Sequence, residues 1–364
     1  MPAQTEVRPF LPIDVPLMHR LLPYGVTLDS AARLTRGINA LEGAMLGTVP
    51  LADLGTPTFV VKHNEIAYVA QFRHKGGDQH AHIVFIAPEL DSDDGVDAWL
   101  HLVSAMVASA AKRGALTLNA EVEDGSVACE VLHRAGFATY ARQTIWRRQP
   151  IPVVNVESDL WRPAQDSDVL GITAIYASIV PRLVMQAEVP PDGKPDGKHI
   201  GLVHECNGKL MAYLSVQEGK NGIYLQPYLH PQLGTDRAEA LLASALASLP
   251  RADKAYVYIG VRRYQAWLHG ALEALHFEIC SNEAVMVKHT TARIEHPAFS
   301  TAYAFDQAAA MVYPGRRVGA GFKRIDNYRE SVRFNGISHN GRSGETEGCP
   351  TSVSCGRAGK DRAI

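Results

Sequence analysis

Residues 115–148 read ALTLNAEVEDGSVACEVLHRAGFATYARQTIWRR. The apolar run 115–122 predicts a strand. Glu123, Asp124 and Gly125 predict a turn, and the spacing of Val127, Val131 and Leu132 predicts a helix. Ala135 and Gly136 stop that helix, because glycine enters the left-handed region without a side-chain penalty. Residues 137–146 then predict a closing strand.

Working upstream, Trp99, Leu102, Val103, Met106 and Ala110 mark one face of a long helix over 96–113, ended by Gly114. Before it come an edge strand over 7–14 and a short helix over 15–22. A second helix over 28–38 has Asp29 or Ser30 near its cap. Strands follow over 58–62, 66–72 and 82–87. Working downstream, residues 150–159 read as a linker and the pattern restarts. A helix is predicted over 168–186 and a hairpin over 201–216 turning at Asn207 and Gly208. Next come a strand over 223–229, a helix over 236–249, a strand over 254–261, a helix over 264–275 and a strand over 277–288. Phe85 and Leu225, like Phe137 and Phe277, stand 140 residues apart, so the chain is an internal duplication.

A strand, a short helix ending in Arg134-Ala135-Gly136-Phe137 and a closing strand resemble the last third of a GNAT-superfamily acyltransferase domain. The resemblance covers about residues 5–290. It implies an α/β fold of two tandem GNAT-like domains, each a mixed β-sheet flanked by helices. Residues 1–149 would form the first domain, 150–159 a linker and 160–292 the second. Residues 293–364 would be an extension, mostly disordered and basic from 313. It further implies acyl-CoA-dependent N-acyl transfer, with acetyl-CoA as cosubstrate and a small-molecule or peptide amine as acceptor. The alternative is a catalytically inactive GNAT-like module for ligand binding or protein interaction.

The family's acyl-CoA lies where the fourth and fifth strands splay, with pyrophosphate on a glycine-rich helix start. In the first half that turn carries Asp91, Asp93 and Asp94 with only Gly95. A carboxylate about 5 Å from a phosphate costs about 1–3 kcal/mol, more than the roughly 0.3–1 kcal/mol a helix terminus returns. Asp94 is more simply a helix cap. In the second half Gln232, Gly234, Thr235 and Arg237 stand at the corresponding turn. With Leu225 and Gln226 on the preceding strand, they are the residues the resemblance assigns to the cofactor. An ordinary capped loop is at least as good a reading of the turn. The tyrosine that the family often uses as general acid is replaced by Leu132 and Leu272. Tyr140, Tyr224, Tyr228 and Tyr264 are conceivable substitutes or simple packing aromatics.

Thr117, Asn119 and Glu121 form a polar stripe on one face of their strand. If that face opens on a cleft, Glu121 is the candidate base, a hydrogen-bonded structural stripe being the plainer reading. His74, His80 and His82 raise a metal site, but no carboxylate or thiolate completes a familiar spacing, and no metal is expected. Cys129 reads as a small core residue.

Hydrophobic residues make up 46% and charged residues 20%, the balance of a soluble globular protein. A net charge of -2 gives no global reason to expect nucleic acid or an anionic membrane as partner. Residues 313–364 hold ten Lys or Arg against five Asp or Glu, and a solvated extension is preferred there over a nucleic-acid-binding tail. Five scattered cysteines without a Cys-x-x-Cys pair point to a reducing compartment. No apolar run reaches the roughly 20 residues of a membrane span, and the first residues lack signal-peptide order, so a cytoplasmic protein is expected.

Overall fold

The computed structural model describes residues 6–36, 56–90, 95–152, 156, 159–191, 193 and 199–290. The first half supplies strands β1 (Val7–Pro9), β2 (Val26–Thr27), β3 (Thr58–His63), β4 (Ile66–Arg73), β5 (His80–Ala87), β6 (Thr117–Glu123) and β7 (Ala138–Arg148). Its helices are α1 (Val15–Leu21), α2 (Ser30–Thr35), α3 (Val96–Lys112) and α4 (Val127–Arg134). The second half supplies β8 (Arg162–Pro163), β9 (His199–Cys206), β10 (Lys209–Glu218), β11 (Ile223–Leu229), β12 (Val257–Arg262) and β13 (Phe277–His289). Its helices are α5 (Val169–Ile179), α6 (Arg182–Met185), α7 (Gly234–Ser248) and α8 (His269–Ala274).

The deciding stretch forms strand, helix and strand as its pattern predicts. The Ser126 hydroxyl accepts the Cys129 N–H at 3.2 Å, capping α4, and Gly136 at φ 86° ends it. Helix α3 buries Trp99, Leu102, Val103, Met106 and Ala110, the face read from its spacing. Several expected elements are shorter. The edge strand stops at Pro9, giving way to a 3-10 turn over Pro12–Asp14. Pro181 divides the helix expected over 168–186 into α5 and α6, since proline offers no N–H to a continuing ladder. The helix expected over 264–275 opens as a 3-10 segment, Arg263–Leu268, in which Gln265 leaves helical geometry at φ -113°, ψ 21°. The predicted acidic turn at Asp91, Asp93 and Asp94 and the extension 293–364 lie outside the described residues.

The duplication is visible in detail. Arg8 donates twice to Asp14 at 2.6 Å, and Asp14 accepts the Leu11 N–H at 2.9 Å. Arg162 and Asp168 repeat the fork at 2.6 and 2.9 Å, with the Gln165 N–H at 2.8 Å.

All the described strands join one sheet, ordered β1-β3-β4-β5-β6-β13-β7-β12-β11-β10-β9-β8, with β2 added beside β5. The two halves exchange their last strands. β13 lies between β6 and β7 of the first half, and β7 lies between β13 and β12 of the second. Each half therefore carries a residue of the other's final strand in its core. Met286 packs with Phe72, Trp99, Leu118 and Leu132, and Trp146 packs with Leu225, Leu241, Val257 and Phe277.

β5–β6 and β11–β12 run parallel. Their pairing covers His80–Thr117 to His82–Asn119 in the first half and Ile223–Val257 to Leu225–Ile259 in the second. Beyond those residues each pair of strands continues without pairing to its partner, so each half has a V-shaped opening.

Candidate active site

Both openings border one cavity of about 290 Å³ on a single face of the shared sheet. β6 contributes Asn119 and Glu121, β11 contributes Tyr224, Gln226 and Tyr228, and β12 contributes Arg262. Asp29, Arg73, His82, Tyr140 and Glu188 are among the other polar residues of its wall.

Arg262 organises the charge. Its Nη2 meets Glu188 at 2.6 Å and Glu121 at 3.5 Å, while the Tyr140 hydroxyl donates to Glu188 at 2.9 Å. The side chains of Arg262, Glu188 and Glu121 are 9%, 13% and 22% exposed, so water screens these pairs weakly. Burial opposes the charge of Arg262, but Glu188 and then Tyr140 and Glu121 hold it firmly protonated. Burial pushes the Glu121 carboxyl up; Arg262 and the Ser30 N–H, 2.9 Å from Oε2, pull the other way. Burial also pushes up Tyr140, Tyr224 and Tyr228, so their hydroxyls stay protonated and act as hydrogen-bond donors. Burial opposes ionisation of Asp29, but Arg73 at 2.9 Å, the Ala32 N–H and the nearby His82 and Arg36 together outweigh it and hold the carboxyl below its usual range.

The two openings are closed differently. In the first, the chain's own backbone fills the V. Val26 and Thr27 pair with Ile86 and Phe85, the Leu28 N–H donates to the Val84 carbonyl at 3.0 Å, and the Leu28 carbonyl accepts the Glu121 N–H at 2.9 Å. In the second, side-chain amides do the bridging. Gln226 donates to the Gly260 carbonyl at 2.9 Å. Fully buried Gln265, with its amide oriented to satisfy both neighbours, donates to the Pro227 carbonyl at 2.9 Å and accepts the Leu229 N–H at 3.2 Å.

No family model matches the sequence, and no curated protein matches it. Solved structures do match. The GCN5-related N-acetyltransferase from Sphaerobacter thermophilus aligns over 80% of this chain and 97% of its own, with TM-score 0.50 and 15% identity. The fold is a tandem GNAT fold. A tandem GNAT protein from the clavulanic acid biosynthesis pathway also aligns, over 79% of this chain and 99% of its own, at 17% identity and TM-score 0.44. At these identities the likeness concerns fold alone.

Against the GNAT expectations, Glu121 and Asn119 face the cavity, whereas the Thr117 hydroxyl meets His80 Nδ1 at 2.7 Å. Gln226 lines the cavity and Leu225 is buried in the second core. Gln232, Gly234 and Thr235 are exposed and Arg237 half-buried at the start of α7, away from the cavity wall. Leu132 and Leu272, at the expected tyrosine positions, are core residues. Tyr140, Tyr224 and Tyr228 line the cavity, while Tyr264 lines a neighbouring pocket. His74 Nε2 lies 2.8 Å from the Asp78 carbonyl, and Cys129 is buried with its thiol pushed up by burial. Among the described residues no His, Cys, Asp and Glu group could hold a metal ion, and no helix is long and apolar enough to cross a membrane.

Sequence reasoning missed Arg262, Glu188, Arg73 and Gln265, and read Asp29 only as a cap. Asp29 does cap α2, accepting the Ala32 N–H at 2.9 Å through one oxygen while the other meets Arg73. For Arg262 the available signal was a charge closing an otherwise apolar strand. Glu188, in a loop, offered none.

His82 gives the cavity a pH signature. Burial, then the Arg73 charge, pushes its imidazole down to about 4, against about 6.5 in an unfolded chain. Between those values the unfolded state binds more protons, so this contribution is complete near pH 7 and lost as pH falls towards 4. It should amount to about 2 kcal/mol between pH 7 and 5, while the raised Glu121 works in the opposite sense. Urea titrations across that range should show a shallower decline in stability for His82→Gln than for the wild type; equal slopes would contradict the assignment.

Proposed function

We propose that the chain is an acyl-CoA-dependent N-acyltransferase of a small amine, with the shared cavity as acceptor site and the second opening as the donor's approach. The observation that carries this reading is Glu121. It is a poorly solvated carboxylate of raised pKa, in a cavity bordered by both strand openings. A raised pKa makes such a group a better proton acceptor than an ordinary surface carboxylate.

The second opening suits acyl-CoA better than the first. Gln265 holds the Pro227 carbonyl and the Leu229 N–H with one amide, and an amide of a pantetheine arm offers the same donor and acceptor. One can replace the other without leaving a backbone group unsatisfied. In the first opening the occupant is the chain itself, bonded to both strands, and the group does not fit there. Gln232, Gly234, Thr235 and Arg237 would meet the pyrophosphate. Gly234, at φ 72°, has open space where a Cβ would stand, and the early N–H groups of the fifteen-residue α7 lie beside it. Bound acyl-CoA supplies the thioester carbonyl that the amine attacks. Glu121 would accept the amine's proton as the carbon–sulfur bond breaks and CoA leaves as its thiolate, Arg262 would stabilise the carboxylate beforehand, and the cavity wall would limit water. The free thiols Cys129, Cys206 and Cys280 suit a reducing compartment such as the cytoplasm.

Thermal unfolding with acetyl-CoA tests the reading. Ligand at about 100 times its dissociation constant adds roughly 2.7 kcal/mol, a rise of several degrees. Gln265→Ala should enlarge the ligand-induced rise relative to its own unliganded state, because nothing need be displaced. Gly234→Asp should shrink it. Absence of a rise in both wild type and Gln265→Ala would withdraw the proposal. It would favour a non-catalytic ligand-binding protein, the reading supported by the self-closed first opening and by Leu132 and Leu272.

A further inference from the structure

Two residues that line the cavity each carry a buried polar atom, of opposite character, with no partner among the described residues. Asn119 is 2% exposed; its Nδ2 donates to the Ala187 carbonyl at 2.8 Å, and its Oδ1 meets no donor among the described residues. Arg262 is 8% exposed; its Nη2 serves Glu188 and Glu121, and its Nη1 meets no acceptor among them. Buried polar groups are normally paired, and an unpaired one costs stability, more so when charged. Both residues line the same cavity.

A ligand that answers both must offer a donor to Asn119 and an acceptor to Arg262. Asn119 shares its face of β6 with Glu121, so the donor arrives beside a carboxylate, where an ammonium is favoured over a neutral N–H. The acceptor arrives at a guanidinium nitrogen, where a carboxylate makes the stronger, charge-assisted bond. Asp29, Glu121 and Glu188 against Arg73 and Arg262 leave one carboxylate in excess, a counter-charge for the ammonium. A volume of about 290 Å³ is at the lower end for small-molecule pockets and favours a small acceptor over a peptide chain.

From this juxtaposition we infer that the cavity takes a free amino acid or a close zwitterionic analogue, its ammonium at Asn119 and Glu121 and its carboxylate at Arg262. The inference deepens the proposed function and rests on the cavity being its acceptor site.

Isothermal titration of the full chain with the common proteinogenic amino acids and β-alanine tests it. Ethanolamine serves as an amine without a carboxylate, and N-acetyl-L-alanine as a carboxylate without an ammonium. At least one amino acid should bind, with both controls roughly tenfold or more weaker, the loss expected for one charge-assisted hydrogen bond. Arg262→Lys keeps a cation for Glu188 but removes the second nitrogen, and should weaken amino acids roughly tenfold and ethanolamine by clearly less. If that variant does not fold, the wild-type comparison of ligands still decides. Ethanolamine binding as tightly as the best amino acid would overturn the inference. So would no binding from the whole set while acetyl-CoA still raises the melting temperature, a result that spares the donor site. Amino-acid binding without an acetyl-CoA effect would support the ligand class and remove the transferase reading.

Discussion

Replacing Arg262 with leucine is expected to destabilise the protein by about 3–5 kcal/mol, seen as a fall in melting temperature of roughly 6–15 °C. The leucine itself is not the problem, because β12 is otherwise apolar. The cost comes from what the arginine leaves behind. Glu188, 13% exposed, loses a partner at 2.6 Å and keeps, among the described residues, the Tyr140 hydroxyl at 2.9 Å, while Glu121 loses the Arg262 charge. A carboxylate stranded in such a site must protonate, draw in water or disrupt its surroundings. Adding Glu188→Gln should therefore recover part of the loss, with a coupling of about 1–3 kcal/mol in the double-mutant cycle. A melting temperature within a degree of wild type would mean that solvent already supports both carboxylates.

The largest expected effect on activity belongs to Glu121→Gln, a loss of about 10²–10⁴-fold in kcat/KM for acyl transfer. The amide keeps the shape and can still accept the Ser30 N–H, which lies 2.9 Å from Oε2 in the wild type. What it cannot do is take a proton. Folding stability should hold or rise slightly, because the substitution removes a poorly solvated charge. The acidic limb of the pH–rate profile should disappear, while the response of the melting temperature to acetyl-CoA persists. Activity within about threefold of wild type would take the base role away from Glu121.

The architecture was legible where local pattern and burial agree. The helical face of Trp99, Leu102 and Met106, the stop at Gly136 and the repeated Phe137 and Phe277 describe two similar halves from periodicity alone. Strand exchange was not legible. β7 and β13 carry similar patterns, and either could complete either half without exposing an apolar face, so pairing is decided by contacts that no local window contains. The site was half legible. Asn119 and Glu121 announced themselves as polar residues alternating inside an apolar strand. Arg262 and Glu188 stand 74 residues apart in the chain, and Arg262 reaches Glu121 of the other half only because the halves share a sheet. Gln265 escaped because a helix was expected there, and only the departure from helical geometry delivers its amide to β11.

The placement of β13 also sets an order of events in time. During synthesis β6 and β7 emerge well before the strand that joins them, so the first half waits with two open edges until almost the entire duplicated region has been made. Pairings of such long sequence separation are slow to form, and unpaired edges invite association with other chains. Cut between the halves, each piece would have to pair its own final strand in place of its twin's, so an isolated half is expected to differ from its form in the full chain at the strand beside β6 or β12.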